Sequence, residues 1–447
     1  MSRLFALGSF LVLPFWLLMI LAPRWRVTQR LVASPLVVAG PLALYALLVL
    51  PELLALLPAL ARPELPAIAA LLGTPAGATI AWMHFLAFDL FVARWMYLDA
   101  RERGWPAGLL SPLLALTLMF GPLGLGAYLG LRAVGLEALR GFLARVRAGS
   151  RPLWWVTLGS AALLATSLVL QLVDARQVTG APVWMKPAKF AASVALMAPV
   201  LAWILAQLPR TRRLGRAAAV ISLVAALELV IITVQAARGV ASHFNNASPL
   251  DTALFATMGL AITVLWLAQL YIAIRAFRHT FTTPARTWAI RLGLAGALAG
   301  GAIGFLMPRP TPAQLAELHA GRQPTTLGGH AVGVPDGGPG LPVTRWSTEG
   351  GDLRVPHFIG LHALQVLPLL AWALERRRRA FAARAVVVAG AGWLGLVGLT
   401  LWQALRGQPL LAPDAATLVG LVVLAAAAAV ALLPAAARAR EPAAARA

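Results

Sequence analysis

Residues 81 to 104 read AWMHFLAFDLFVARWMYLDARERG, an apolar stretch that carries His84, Asp89, Arg94 and Asp99 along its length. It is long enough for a membrane-spanning helix, which needs about 20 predominantly apolar residues. Ionisable side chains at membrane depth are costly unless they are paired or face a polar cavity, and they mark candidate functional sites. These four side chains therefore set the question of what this helix does.

The rest of the chain has the same apolar character. Its 447 residues are 60% hydrophobic and only 12% charged, with a mean hydropathy of +0.78, whereas soluble domains are about 45–50% apolar. The apolar runs are continuous rather than alternating, which indicates spanning helices and excludes a β-barrel. We therefore predict an all-α fold, a polytopic membrane helix bundle.

The apolar runs predict about twelve spans, four before residue 135 and eight after residue 153. The N-terminal run continues for about 18 residues without a small-residue cleavage site, so we interpret it as a retained span rather than a signal peptide. The predicted spans are 4–22, 34–57, 79–98, 109–132, 153–173, 188–207, 215–237, 251–274, 287–306, 356–374, 384–402 and 410–434.

The formal net charge of +22 does not indicate nucleic-acid binding. The arginines lie in short clusters between apolar runs, where they act as topology signals and contact anionic lipid headgroups. Membrane lipid is therefore the predicted partner. Cysteine is absent, which excludes disulfides, thiolate nucleophiles, iron–sulfur clusters and Cys-ligated zinc.

Arginine placement also predicts the orientation. Arg-rich loops alternate with loops poor in positive charge, and Arg-rich loops favour the cytoplasmic side. This places both termini in the cytoplasm, as expected for a bacterial inner membrane protein, whereas Arg24, Arg26 and Arg30 would then lie outside. The supporting clusters are Arg140, Arg145, Arg147 and Arg151; Arg210, Arg212, Arg213 and Arg216; Arg275, Arg278 and Arg286; Arg376 to Arg379; and Arg438, Arg440 and Arg446.

The chain divides into two predicted domains. An Arg-rich connector at 136–152 separates a four-helix domain, residues 1–135, from an eight-helix domain, residues 153–447. A Pro- and Gly-rich loop at about 307–355 falls on the extracytoplasmic side of the second domain. Loops of this length are usually functional or disordered.

Helix geometry spreads the polar groups of the opening stretch around the helix. At 100° per residue, His84 and Asp89 lie about 140° apart, and so do Asp89 and Arg94. We therefore expect protein to enclose this helix on most sides. Two interpretations remain open, a functional site and interhelical polar contacts that only fix packing.

The opening stretch, with the run LTLMFGPLGLGAYLGLR at 116–132, resembles the abscisic-acid-deficient-four-like family of four-helix membrane proteins. The resemblance covers residues 1 to about 135 and departs at Ala93, where the family has glycine. It also does not extend into the second domain. The residues that carry it are Trp82, His84, Asp89, Arg94, Trp95, Asp99, Arg103, Thr117, Gly121, Pro122 and Gly124.

The resemblance implies chemistry on a carotenoid or related isoprenoid. Plant members are neoxanthin synthases, which convert a 5,6-epoxide end group of violaxanthin into an allenic alcohol without net redox change and without a cofactor. Such an isomerisation needs one group that polarises or protonates the epoxide oxygen and another that removes a proton from the adjacent polyene carbon. The implied catalytic residues are His84, Asp89, Arg94 and Asp99, with Arg94 or a protonated carboxyl as electrophile and His84 or Asp89 as base.

The predicted substrate-binding residues flank these groups. They are Trp82, Trp95, Thr117, Gly121 and Pro122. The small residues around Gly121 indicate either tight helix contact or a break that admits a rigid polyene. We expect Asp89 to face the interior of the four-helix domain and to contact the span that carries Thr117 and Gly121.

The second domain has its own polar residues, in three segments that the orientation places at one extracytoplasmic end. A shared pocket is the natural hypothesis, with His243 near His357; haem or metal binding and plain packing are the alternatives. His357 and His362 are about 140° apart on a helix, unlike the i, i+4 spacing of paired metal ligands, so we predict no metal and no cofactor. The pocket residues are Lys186, Lys189, Arg238, His243, Asn245, Asp251, His357, His362 and Gln365, with Asp352 and Arg354 beside them.

Two functions thus remain open. The first is a cofactor-independent carotenoid or isoprenoid isomerase with its site in residues 1–135. The second is a non-catalytic binding or transport module in which the eight-helix domain matters most.

Overall fold

The computed structural model describes residues 1–377 and 379–438, so Arg378, Arg440 and Arg446 of the predicted arginine clusters lie outside the described residues. The described chain is almost entirely helical, and its strands are two-residue pairs. Ten of its helices are long and apolar enough to cross a membrane. The all-α polytopic membrane fold is therefore confirmed.

The chain forms two compact units, residues 1–141 and 142–447. Unit 1 contains two long helices, α6 and α7, and several shorter ones. A 3-10 turn at Pro35–Val38 joins α2 to α3. The helices are α1 (Ser2–Leu21), α2 (Arg26–Ala33), α3 (Ala39–Val49), α4 (Leu53–Ala61), α5 (Leu65–Leu72), α6 (Pro75–Glu102) and α7 (Ala107–Val134), and α8 (Leu136–Gly149) contains the division between the units.

Unit 2 holds the remaining helices and two antiparallel strand pairs, β1 with β2 and β3 with β4. Its helices are α9 (Arg151–Val173), α10 (Met185–Leu205), α11 (Arg212–Arg238), α12 (Pro249–Phe277), α13 (Pro284–Gly304), α14 (Pro312–His319), α15 (Arg354–Arg377), α16 (Arg379–Leu405) and α17 (Ala415–Arg438). Its strands are β1 (Gln177–Val178), β2 (Ala181–Pro182), β3 (Ala331–Val332) and β4 (Gly351–Asp352).

Helix starts follow local sequence signals. Thr74 Oγ accepts a hydrogen bond from Gly77 N at 3.0 Å, and Pro75 occupies the first helical position of α6. Ser150 and Ser248 cap α9 and α12 in the same way, each followed within two residues by proline. Side-chain oxygens at these positions satisfy backbone N–H groups that have no partner within the helix.

Two of the twelve predicted spans are not among the ten long apolar helices. The predicted span 34–57 is broken, because α2 and the segment Pro35–Val49 meet at 77°. The predicted span 287–306 corresponds to α13, which is not among the ten. Even so, α13 runs along the whole of α15: Arg286 pairs with Glu375 at one end, and Gly300 O meets His357 Nδ1 at the other.

Glycine allows this close approach of α13 and α15. A Cβ placed on Gly300 would lie 2.7 Å from the Cα of Gly360, and one on Gly296 would lie 2.4 Å from the Cβ of Ala363. Small residues at such contacts let two membrane helices pack backbone to backbone. The small residues that lower the hydropathy of α13 are therefore the ones that pack it inside the bundle.

Each unit has its own apolar core. In unit 1, Trp16, Leu90, Tyr97 and Leu114 are buried together between α1, α6 and α7. In unit 2 the largest core cluster joins residues of α9 to α13 and α15, and its fully buried members include Leu201, Ile204, Ile221, Ile272 and Ile290. The long loop between α13 and α15 folds onto this unit with α14, β3 and β4.

Candidate functional site

Asp89 lies against Gly121, where α6 passes α7. A Cβ placed on Gly121 would lie 2.4 Å from Asp89 Oδ1, so only glycine leaves room for the carboxyl group. Asp89 is partly buried. Its side chain therefore contacts the helix that carries Thr117 and Gly121, as the sequence predicts.

The Asp89 carboxyl group has no hydrogen-bond or ion-pair partner within residues 1–377 and 379–438. This is unusual, because polar groups away from water are nearly always hydrogen-bonded, and an unpaired one costs free energy. A carboxyl group left free at membrane depth is available for proton chemistry.

Helix α7 is broken beside this carboxyl group. Phe120 has φ −142° and ψ 59°, outside the helical region, and Pro122 follows it. Proline lacks an N–H, so Pro122 cannot bond the carbonyl of Leu118 four residues earlier. The sequence left two interpretations open for this run, tight helix contact and a helix break. The structure contains the close contact of Gly121 with Asp89 and the break at Phe120.

His84 lies on the other side of α6. It is exposed on the unit surface, and its ring contacts Tyr45 at 5.6 Å and Phe88 at 4.7 Å between centroids. Phe85, Phe88 and Phe91 on this face are all more than half exposed. The expectation that protein encloses α6 on most sides is therefore wrong, because a full stripe of the helix remains uncovered within its unit.

Arg94 is committed to backbone carbonyls rather than to Asp89. Its Nη2 donates to Ala33 O at 2.6 Å and its Nε donates to Ser34 O at 3.2 Å. These are carbonyl groups at the C-terminal end of α2, which have no N–H partner within that helix. Arg94 thus holds the bend between α2 and α3, and the electrophile role implied for it stays a prediction.

Asp99 is the centre of an ion-pair network at the end of α6. It pairs with Arg103 at 2.9 Å and with Arg132 at 3.0 Å, and Tyr128 donates to it at 2.5 Å. Both of its oxygens accept hydrogen bonds, and the bonds from Tyr128 and Arg132 join α6 to α7. This geometry is that of a structural anchor.

Three of the five predicted substrate-binding residues make structural contacts away from Asp89, and two lie beside it. Trp82 stacks on Phe5 at 5.5 Å, and its Nε1 donates to Ser9 Oγ at 3.4 Å. Trp95 packs edge-on against Tyr128 in the anchor around Asp99. Buried Thr117 donates to Leu113 O at 2.7 Å in its own helix. Only Gly121 and Pro122 lie at the break next to Asp89.

Taken together, the described groups of unit 1 present one free carboxyl group at a helix break, next to an apolar surface. Such a group can accept a proton from carbon and return it to oxygen, which is general acid–base chemistry. The site lies within the part of the chain that resembles known proteins.

Residues 3–128 match the ABA DEFICIENT 4-like family. This ABA DEFICIENT 4-like segment contains the whole Asp89 site and confirms the resemblance found in the sequence. The chain is also 32% identical over 139 residues to Protein ABA DEFICIENT 4, chloroplastic, from Arabidopsis thaliana. That match covers 30% of this chain and 62% of the relative, so the chain spans less than two thirds of the relative's length. No solved structure matches the chain.

The polar segments of unit 2, beyond the ABA DEFICIENT 4-like segment, come together at one end of that unit. Asn246 N donates to Thr325 O at 2.8 Å, and Lys189 Nζ donates to Thr344 O at 3.0 Å. The third link joins Arg345 Nη2 to Gly180 O at 2.7 Å. The loops after α9, α11 and α13 are therefore tied to one another.

Several residues predicted for the second pocket have structural partners. Arg238 pairs with buried Asp251 at 2.7 Å, and Gln235 and Ser248 donate to the same carboxylate. Asn245 bonds the backbone of its own turn at Ala241 and Ala247. These groups stabilise the loop between α11 and α12.

His243 and His357 each have a local partner. His243 Nδ1 lies 3.0 Å from Ser242 Oγ, and its ring lies among Phe190, Phe244 and Phe255. His357 Nδ1 bonds Gly300 O at 2.7 Å. The prediction that His243 and His357 share a cavity stays a prediction.

Two further polar residues of α15 have local partners. The His362 ring lies 4.1 Å from that of Phe358 between centroids. Turning the Gln365 amide by 180° lets its nitrogen donate to the carbonyls of Leu361 and His362 at 3.2 Å. Among the described residues, no three His, Asp or Glu side chains come together as metal ligands would.

Sequence reasoning missed four residues. Tyr128 and Arg132 are partners of Asp99 that sequence spacing alone does not pair. His330, bonded to Asp336 at 2.8 Å, lies in a loop that the composition left undecided. The signal that singled out Asp89 also applies to Glu228, which is a carboxylate inside the apolar run of α11.

Proposed function

We propose that the N-terminal unit is a carotenoid- or isoprenoid-modifying isomerase in which Asp89 is the acid–base group. One observation carries the proposal, the free Asp89 carboxyl group packed against Gly121 at the break of α7. It lies in the segment that resembles ABA DEFICIENT 4, and the resemblance implies the conversion of a violaxanthin epoxide into an allenic alcohol.

The reaction suits a single carboxyl group. A base removes the proton from the polyene carbon next to the epoxide, the new double bond completes the allene, and the epoxide C–O bond at that side breaks. The oxygen takes up a proton and becomes an alcohol, so the formula is unchanged. Asp89 as carboxylate would accept the carbon-bound proton and, once protonated, return it to oxygen.

Apolar exposed side chains around the break favour an apolar ligand. Met119, Phe120 and Leu123 on α7 are each more than half exposed. A polyene chain lying along this surface would bring its end group to Asp89, where Gly121 leaves space. Arg94 and Asp99 would keep the helices in place without touching the substrate.

Expression in a violaxanthin-producing bacterial host tests the proposal. We expect the wild-type chain to yield a new pigment of the same mass as violaxanthin, separated by liquid chromatography. Asp89→Asn keeps the shape and loses the proton chemistry, so it should abolish conversion at equal protein level in the membrane. Conversion by Asp89→Asn at the wild-type rate, or no conversion by the wild type, would overturn the proposal.

The matched control is Glu102→Gln on the same helix. Glu102 is exposed at the end of α6, so its loss changes one carboxylate to an amide without touching the site. It should convert pigment as the wild type does.

A further inference from the structure

The two lysines of the chain both lie in unit 2, and one of them, Lys186, has no evident structural role. Of 38 basic residues, only Lys186 and Lys189 are lysines, and all others are arginines. Among the described residues, arginine forms every ion pair to a carboxylate except the one that His330 forms. Lysine differs from arginine in carrying a compact point charge, and it is an established phosphate ligand in proteins.

The structure accounts for Lys189. Its Nζ donates to Thr344 O at 3.0 Å and so fastens the long loop to α10. Arg354 fastens the same loop from α15, through Asp352 at 2.6 Å and Arg345 O at 2.6 Å. These two cations are committed to the loop.

Lys186 has no such partner. Its side chain is largely enclosed, and it makes no hydrogen bond or ion pair with any residue in 1–377 or 379–438. The charges of Arg354, Asp336, Lys189 and Glu228 all act on it. An ammonium ion removed from bulk water without a partner is costly.

Glu228 is the second group without a partner. It is only 7% exposed, and its Oε1 is fully buried with no hydrogen-bond donor among the described residues. Phe190, one turn after Lys186 on α10, packs against Ile231 and Ile232, one turn after Glu228 on α11. Lys186 and Glu228 therefore lie on neighbouring stretches of two packed helices, yet no hydrogen bond or ion pair joins them among the described residues. Buried polar groups of this kind are normally satisfied, by protein, water or ligand.

Aromatic side chains and the long loop lie at this end of unit 2. The charge of Lys186 acts on the His243 ring, which packs against Phe190 at 5.3 Å and Phe255 at 6.3 Å between centroids. The long loop covers this end of the unit through the bond of Lys189 to Thr344. A ligand here needs an anionic oxygen for Lys186 and a hydrogen-bond donor for Glu228.

We propose that Lys186 and Glu228 form a binding site for a phosphate monoester or hydrogen phosphate, beneath the long loop of unit 2. Near neutral pH such a group carries both charged oxygens and, in part, an O–H, because its second ionisation lies near pH 6. The oxygens accept from Lys186 and the O–H donates to Glu228. A phosphodiester or sulfate lacks that O–H and fits less well.

The full chain in phosphatidylcholine nanodiscs provides the test. Ligands that bind only the folded state raise the unfolding midpoint by mass action. We expect inorganic phosphate, or phosphatidic acid added to the discs, to raise the midpoint in a saturable manner. Lys186→Met should weaken the apparent affinity by about tenfold or more. Lys189→Met should keep the response, because Arg345 to Gly180 O and Arg354 to Arg345 O still hold the loop.

The two probes distinguish a soluble phosphate ligand from a lipid headgroup. A response to inorganic phosphate alone assigns a soluble ligand, and a response to phosphatidic acid alone assigns a lipid. An equal response to sulfate, an unchanged response in Lys186→Met, or no response of the wild type to either probe would overturn the proposal.

Amine labelling gives a readout that does not depend on a variant folding. With two lysines in the chain, mass spectrometry can follow acetylation at Lys186 and use Lys189 as internal reference. Phosphate should slow acetylation of Lys186 relative to Lys189. Equal rates with and without phosphate would contradict the site.

Discussion

At the scale of single residues, Gly121 determines where the Asp89 carboxyl group can lie. We predict that Gly121→Ala abolishes most pigment conversion, because the new Cβ would lie 2.4 Å from Asp89 Oδ1 and displace it. A misplacement of about 1 Å can cost roughly a hundredfold in rate. Gly126→Ala on the same helix meets nothing within 4 Å and is the control. Pigment analysis at matched protein level distinguishes them, and equal conversion by both variants would contradict the role given to Gly121.

Replacing Asp99 should lower stability rather than pigment conversion. Its carboxylate joins Arg103, Arg132 and Tyr128, and removing a buried charged hydrogen-bond partner costs roughly 1–3 kcal/mol. We predict that Asp99→Asn lowers the thermal unfolding midpoint and the amount of inserted protein but leaves conversion per molecule unchanged. Loss of conversion at an unchanged midpoint would instead restore Asp99 to the catalytic residues.

At the scale of elements, Arg94 holds the bend that follows α2. It donates to Ala33 O and Ser34 O, and Arg94→Met would leave both carbonyl groups without that donor. We predict faster hydrogen exchange in residues 26–38, measured by mass spectrometry. Arg101→Met removes an exposed side-chain bond to Gln29 and a contact with the Tyr97 ring. It leaves Ala33 O and Ser34 O with their donor and should change exchange much less. Equal exchange in the two variants would show that the bend does not depend on Arg94.

The long loop of unit 2 should loosen as pH falls. Burial lowers the pKa of His330 below its ordinary 6.5. Burial also opposes ionisation of Asp336, but the hydrogen bond from His330 brings the pKa of that carboxyl below its usual range. Both folded-state values are depressed, so the stability they contribute is present above the unfolded values and is lost as pH falls. His330 acts first, below about pH 6.5, and Asp336 only below about pH 4.

Hydrogen exchange of residues 326–340, corrected for intrinsic rates, measures this. Protection should fall between pH 7.5 and pH 5, and His330→Gln should remove most of the change. His319→Gln, in α14, is the control. Greater protection at pH 5 would contradict the direction worked out from His330.

Sequence patterns predicted the helices well where apolar runs are long and uniform, as in α6, α11 and α12. They also placed Asp89 against the helix of Gly121, since a carboxyl group at that depth has to face protein. They did not foresee the bend after α2, because an arginine on another helix stabilises it. The resemblance implied catalytic roles for Arg94 and Asp99. Sequence spacing cannot show that Arg94 donates to Ala33 O or that Asp99 pairs with Arg132.

At the scale of the whole molecule, that bend bears on the orientation. If the broken pair α2 and Pro35–Val49 crosses the membrane, unit 1 crosses four times and Arg24, Arg26 and Arg30 lie outside, against the charge rule. If it enters and returns on one side, unit 1 crosses three times. The three arginines then lie in the cytoplasm together with the Arg-rich loop after Arg140, and the N-terminus lies outside.

Reporter fusions decide between these arrangements. Because α13 runs the full length of α15, we count it as a crossing, which makes eight crossings in unit 2. The arginine clusters then predict that a reporter after residue 212 lies in the cytoplasm and that one after residue 340 lies outside it. The opposite readout at both positions would overturn the orientation of unit 2. A reporter after residue 24 then tests the bend: an extracytoplasmic readout supports both termini in the cytoplasm and a crossing pair. A cytoplasmic readout would make the pair a re-entrant segment, because three crossings place Arg24 and the Arg140 loop on the same side.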